Sequence, residues 1–183
     1  MGTIVGAVII LALIGLVIAI YNRLVGLRQN CRQGVADIDA QLRQRHDLVP
    51  NLVETVKGYA SHEKTTLDSV IAARNQAAQG EINSGDEASL KIALDRLLAL
   101  GEAYPDLKAS ANFQALQGEL ADVEDKLAAA RRALNAAVAR YNTALESFPA
   151  VLFAGALGFA HEDFHRLDPS EKGIVDQVPQ VQF

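Results

Sequence analysis

The 183-residue sequence predicts an all-α protein, with an N-terminal single transmembrane helix followed by an antiparallel four-helix bundle with long helices. Three observations carry this expectation. Residues 2–20 hold no charged side chain, and only Thr3 among them is strongly polar. Near the other end Phe113, Leu116, Leu120, Val123, Leu127, Ala130, Leu134, Ala137 and Tyr141 recur at alternating steps of three and four, and Leu145 and Phe148 prolong the stripe. That is the seven-residue repeat of a helix packed knobs-into-holes. The composition agrees: 50% hydrophobic, 5% aromatic and without tryptophan, which favours helices over a β fold.

About 20 apolar residues span a bilayer core, so residues 2–20 are just long enough. A cleaved signal peptide fits poorly, because no basic stretch precedes the run and Ala19-Ile20-Tyr21-Asn22-Arg23 is a poor cleavage site. A core helix fits poorly because the run is apolar on every side. Arg23, Arg28 and Arg32 follow at once. By the positive-inside rule the N-terminus is expected outside and the bundle in the cytoplasm, at the plasma (inner) membrane. Ala12, Gly15 and Ala19 share one side of the span, and Gly2 and Gly6 form a GxxxG. These small residues either permit self-association or reflect the ordinary composition of membrane helices. Tyr21 and Asn22 suit the membrane interface, and no linker separates them from the first bundle helix, Arg23 to His46.

The sequence turns next on Pro50. Cys31, Val35, Ile38 and Leu42 make an apolar seam before it, and Val49, Leu52, Val56 and Tyr59 make one across and after it. A proline here removes the bond to residue 46 and clashes with that carbonyl, while Asp47 is placed to cap a new helix. The expectation is a helix–turn–helix corner, with a kinked single helix as the alternative. A second helix then runs from Pro50 to about Gln79, with Leu67, Val70 and Ile71 on its apolar side. Ser84 and Glu87 have capping-box spacing for a third helix, Glu87 to Glu102, whose apolar face is Leu90, Leu94, Leu97, Leu98 and Gly101. Tyr104-Pro105-Asp106 marks the corner into the fourth. Four helices joined by short turns alternate in direction, so the fourth should end back near the bilayer. The implied divisions are an anchor over 1–22, a helical bundle domain over 23–148, an apolar membrane-interface or inter-protomer segment over 149–166, and a C-terminal tail over 167–183.

The block around Pro50 also resembles the signature of the LemA family, bacterial membrane-anchored helical proteins. The resemblance lies in Asp37-Ile38-Asp39, Leu42, Arg45-His46-Asp47-Leu48, Pro50-Asn51-Leu52-Val53, Val56-Lys57-Gly58-Tyr59 and His62-Glu63. Tyr21-Asn22 with Leu24-Val25, Ala130-Arg131-Arg132 with Tyr141-Asn142, Phe148-Pro149 leading to Gly158-Phe159, and the closing Val178 to Phe183 extend it over nearly the whole chain. It implies fold and topology more than function, since the family has no agreed biochemical activity.

The formal charge of −5 and the absence of a basic patch interleaved with aromatics argue against nucleic acid as a partner. The single cysteine, Cys31, cannot form an internal disulfide. His161-Glu162-Asp163-Phe164-His165 fits HExxH, the pattern of zinc hydrolases, but Gly158 and Pro169 leave little room for the helix that pattern requires. Asp39 to Arg43 and Arg43 to Asp47 are helix-stabilising i,i+4 pairs, and no nucleophile or glycine-rich loop accompanies them. The expectation is therefore a non-enzymatic, membrane-anchored scaffold without cofactor or metal, homo-oligomeric, presenting a cytoplasmic bundle near the inner leaflet. The first alternative is an adaptor for another membrane protein complex, such as a quality-control protease; the remote one is a zinc hydrolase. Asp39, Arg43, Arg45, His46, Asp47, Pro50, Asn51 and Lys57 are the candidate partner or oligomer surface, at the membrane-distal tip of the bundle. Phe148, Val151, Leu152, Phe153, Leu157 and Phe159 are candidates for contact with the membrane or another protomer.

Overall fold

Apolar steps of three and four call for helices, and in the computed structural model, which describes residues 1–79 and 84–163, every regular element is one. The elements are α1 (Gly2–Tyr59), α2 (Lys64–Ala77), α3 (Ser84–Ala103), the single turn α4 (Pro105–Lys108) and α5 (Ala111–Glu146). A short 3-10 turn, Ala150–Leu152, follows. The all-α expectation and the long apolar N-terminal helix both hold.

The corner expected at Pro50 does not form. α1 passes through Pro50 unbroken, so the membrane-proximal helix does not end at His46 and the polar block is the flank of a helix instead of its tip. The proline still deprives the His46 carbonyl of its usual donor. The guanidinium of Arg74, arriving from α2, supplies the missing hydrogen bond: its Nε–H donates to the His46 oxygen at 3.2 Å. Val49, Leu52, Val53 and Val56 are buried on both sides of the proline and keep the segment packed. The chain turns later, over residues 60–63, where the buried Ala60 donates its N–H to the Val56 carbonyl at 2.8 Å and Glu63 donates to Ala60 at 3.1 Å. The corner at Tyr104 does form: Tyr104 is extended and Pro105 opens α4, where a missing amide donor costs nothing.

By contact the described residues divide into two compact units. One comprises residues 38–79 and 84–128; Val49, Leu52, Val56, Leu67, Val70, Leu90, Leu97, Leu107, Phe113 and Val123 fill its core. At its α3–α5 contact Gly101 faces the Phe113 ring, and an added β-carbon would meet Cε1 at 2.9 Å.

The other unit comprises residues 1–37 and 129–163. Here α1 and α5 approach closely at Gly34, where an added β-carbon would lie 3.1 Å from Leu134 Cβ and 3.2 Å from its Cα. Leu24, Cys31, Leu134, Ala137, Tyr141 and Leu145 are buried along this seam, while Val35, expected in it, points outward. Residues 2–20 form a helical stretch long and apolar enough to cross a membrane, and no part of that window is buried in the chain. Ala12, Gly15 and Ala19 are exposed on it.

Candidate functional site

The seam of α1 steps from Leu42 to Val49, and the helical position between them is Arg45. On α3 the seam Leu90, Leu94, Leu97 steps back to Glu87. Two core positions on facing helices are thus occupied by opposite charges. Arg45 and Glu87 are buried and ion-paired through Nη2 and Oε2. His46, also buried, donates from Nε2 to the other carboxylate oxygen, Oε1, at 2.9 Å. Arg45 Nη1 reaches Glu124 on α5 at 3.2 Å, nearer to solvent. Burial alone would lift the Glu87 carboxyl; the hydrogen bond from His46 and the charge of Arg45 outweigh it and hold the group below the ordinary carboxylate value. Both oxygens of Glu87 are engaged, so the cluster works as a polar staple joining α1, α3 and α5.

This corrects two expectations. Arg45 and His46 are not surface residues, because a core position and a buried carboxylate draw them inward. Glu87, expected in a capping box with Ser84, turns its carboxylate to Arg45 and His46 on α1. The remaining members of the set, Arg43, Asp47, Pro50, Asn51 and Lys57, are exposed along α1, and Asp39 is half-buried. Lys57 pairs locally with Glu54 at 3.2 Å. Beside Arg45 a groove of about 230 Å³ opens between α3 and α5, floored by Leu94, Leu98 and Leu120 and edged by Lys91, Asp95 and Glu124. Sequence reasoning singled out neither Arg74 nor the groove. The gap at position 45 in the α1 seam was the available signal for a buried arginine.

In the other unit, the apolar segment after α5 splits into two sets. Phe148, Val151, Leu152 and Leu157 are exposed and Phe153 is half-buried, whereas Ala150, Ala154 and Phe159 are buried. Phe159 therefore does not belong with the exposed contacts. Its ring meets Tyr21 edge-on at 5.4 Å, and the Arg28 guanidinium lies 5.0 Å from its centroid. Just beyond, Asn142 holds the Glu162 backbone from both sides, donating to its carbonyl at 2.9 Å and accepting from its N–H at 3.1 Å. Tyr141 is fully buried, and burial raises its phenol as it raises the neighbouring Cys31 thiol, so both stay neutral.

Of the HEDFH motif, residues 161–163 are irregular and exposed. His161 pairs with Glu146 at 3.0 Å, and the backbone of Glu162 is clamped by Asn142. Phe164 and His165 lie outside the described residues, as does the tail from Arg166 onward. No cluster of His, Cys, Asp and Glu suited to a metal occurs among the described residues.

The comparisons with known proteins converge. Residues 34–183 match the family model described as the LemA family. The chain is 24% identical over 191 residues to magnetosome protein MamQ of Magnetospirillum gryphiswaldense, covering 88% of this chain and 70% of that protein. It is 22% identical to MamQ 2 of Paramagnetospirillum magneticum over the same shares. Protein LemA of Metamycoplasma hominis is 26% identical over 115 residues, 61% of this chain and 52% of that protein. A single apolar N-terminal helix running into a helical body whose Arg45-His46 block is stapled inside, together with a family match over most of the length, gives one conclusion: the chain belongs to the LemA family.

Proposed function

We propose that the protein is a non-enzymatic scaffold, anchored by residues 2–20 in the inner membrane, that self-associates and presents its helical body on the cytoplasmic side. The observation that carries this reading is the unbroken course of α1, from an apolar stretch with no part buried in the chain into the packed helix that holds Arg45 and His46. An apolar helix bare on every side needs lipid or other helices around it. Arg23, Arg28 and Arg32 directly after it support the cytoplasmic assignment of the body. The exposed face of Ala12, Gly15 and Ala19 supports contact between spans. The non-enzymatic part rests on the charged cluster, whose members are consumed in pairing with one another.

The test is the mass of the full-length protein in mild detergent, beside a version lacking residues 1–20. A large uniform assembly that the truncation dissolves supports a scaffold driven by its spans. An assembly that survives truncation assigns the association to the helical body. A monomer in both forms overturns self-association. It would favour the second reading, an adaptor for another membrane protein, for which exposed Arg43, Asp47, Asn51 and Lys57 along α1 are the recognisable surface.

A further inference from the structure

The chain between Glu146 and His161 contains no charged side chain. It is nevertheless built, not loose. Val151 N–H bonds to the Ser147 carbonyl at 3.1 Å, Ala154 to Ala150 at 2.8 Å, Leu157 to Phe153 at 3.1 Å and Phe159 to Ala154 at 3.1 Å. Gly158, at φ 78°, allows the return toward α1. Ala150, Ala154 and Phe159 face inward, while Phe148 is 80% and Leu152 72% exposed. A folded tip that buries Ala150 and Ala154 leaves Phe148, Val151, Leu152 and Leu157 uncovered among the described residues.

The level of this tip along α1 follows from contacts inside the same unit. Gly34 abuts Leu134, while Tyr21 and Arg28 abut Phe159, beyond the end of α5, so the two helices run antiparallel here. At equal rise per residue, Glu146 falls about level with Asn22 and Phe148 about level with Ile20, the last residue of the apolar run. The exposed side chains therefore continue the bare surface of the span. That continuity, with the absence of any charge in the tip, favours a lipid surface over a protein partner, whose interface would carry a polar rim.

We infer that the tip at residues 148–157 is a second membrane contact. It places Phe148, Val151 and Leu152 in the headgroup layer of the leaflet from which α1 emerges, with Phe159 on Tyr21 setting its depth. The inference rests on the anchored reading above but not on self-association. Aromatic Tyr21 stands where interfacial rings gather, so Phe159 docks the tip on a residue that itself marks the boundary.

The full-length protein can test this with an environment-sensitive fluorophore on single introduced cysteines. Native Cys31 stays silent because it is buried and its thiol is pushed up. Phe148→Cys and Leu152→Cys probe the tip, Ile14→Cys the span, and Glu119→Cys an exposed position on α5. Each labelled protein is reconstituted into phosphatidylcholine–phosphatidylglycerol vesicles containing lipid with a nitroxide near the headgroup or near the chain end. Expected is severalfold stronger quenching at positions 148 and 152 than at 119, strongest with the shallow nitroxide, and deep quenching at 14. An inserted span with tip probes in water overturns the second contact and leaves the anchor standing. Tip probes shielded from water but blind to lipid nitroxide, and unshielded when the protein is diluted in lipid, assign the tip to a second copy and overturn the inference. A probe at 14 in water overturns the anchor and the tip contact together.

Discussion

The two units depart from the ordinary division of inside and outside in opposite senses. In the unit around Pro50, charge lies in the core: Arg45, His46 and Glu87 occupy positions where leucine would be expected. In the unit around Tyr21, Phe148 and Leu152 lie in the open where a polar residue would be expected. The first departure is settled within the chain, since each buried charge finds its complement a few ångströms away. The second is not settled among the described residues, and the membrane contact proposed above would supply its complement. Buried charge here marks internal architecture, and the exposed apolar surface is what the proposed membrane contact would use.

The sharpest way to break this contrast is to remove one partner of the staple. Arg45→Ala leaves Glu87 buried with His46 alone and should cost about 3–5 kcal/mol in chemical unfolding. Replacing all three, Arg45→Met with His46→Leu and Glu87→Leu, should recover most of that loss. Equal damage from the single and triple variants would mean that the cluster is not a compensated charge group.

Acid should do the same more gently. The carboxyl of Glu87 titrates lower in the folded state than in the unfolded one, so its contribution is complete above the ordinary carboxylate value. That contribution drains away as the pH falls through that value toward the folded one. The acid limb of the stability curve should flatten in Glu87→Gln; an unchanged limb would assign it to other carboxylates.

A smaller effect is expected at the proline. Arg74→Met leaves the His46 carbonyl without its donor and should cost about 1–3 kcal/mol. In a Pro50→Ala background residue 50 regains its N–H, so the same change should cost about 1 kcal/mol less; additive losses would sink the substitution of donors. The smallest effect belongs to the other unit. Leu152→Ser, at an exposed side chain, should move the unfolding of the detergent-solubilised protein by less than about 0.5 kcal/mol. A loss comparable to that of Arg45→Ala would show that the tip serves the fold and not an outside surface.

What the sequence disclosed followed the range of each interaction. The apolar run at 2–20, the stripe of α5 and the corner at Tyr104 are local patterns, and each is present. Pro50 misled because its local meaning is a lost bond, and the donor that restores it, Arg74, lies 28 residues beyond the His46 carbonyl it reaches. Glu87 misled likewise: near Ser84 it has the spacing of a cap, while its partners sit on α1, 41 and 42 residues back. The split within the segment after α5 was illegible because Phe148 and Phe159 are equally apolar. Only the fold brings Tyr21 to one of them.

The bond from Arg74 to His46 also bears on the order in which the protein is made. Residues 46 to 50 are synthesised before Arg74, a lag of roughly 1–6 s at about 5–20 residues per second. During that interval the nascent helix carries an open carbonyl one turn before the proline, with nothing yet synthesised that can close it. The part of α1 beyond Pro50 is thus translated early and completed late. Its final shape waits for α2 to emerge and fold back, and a chaperone or a membrane insertase would meet this stretch while it is still unfinished.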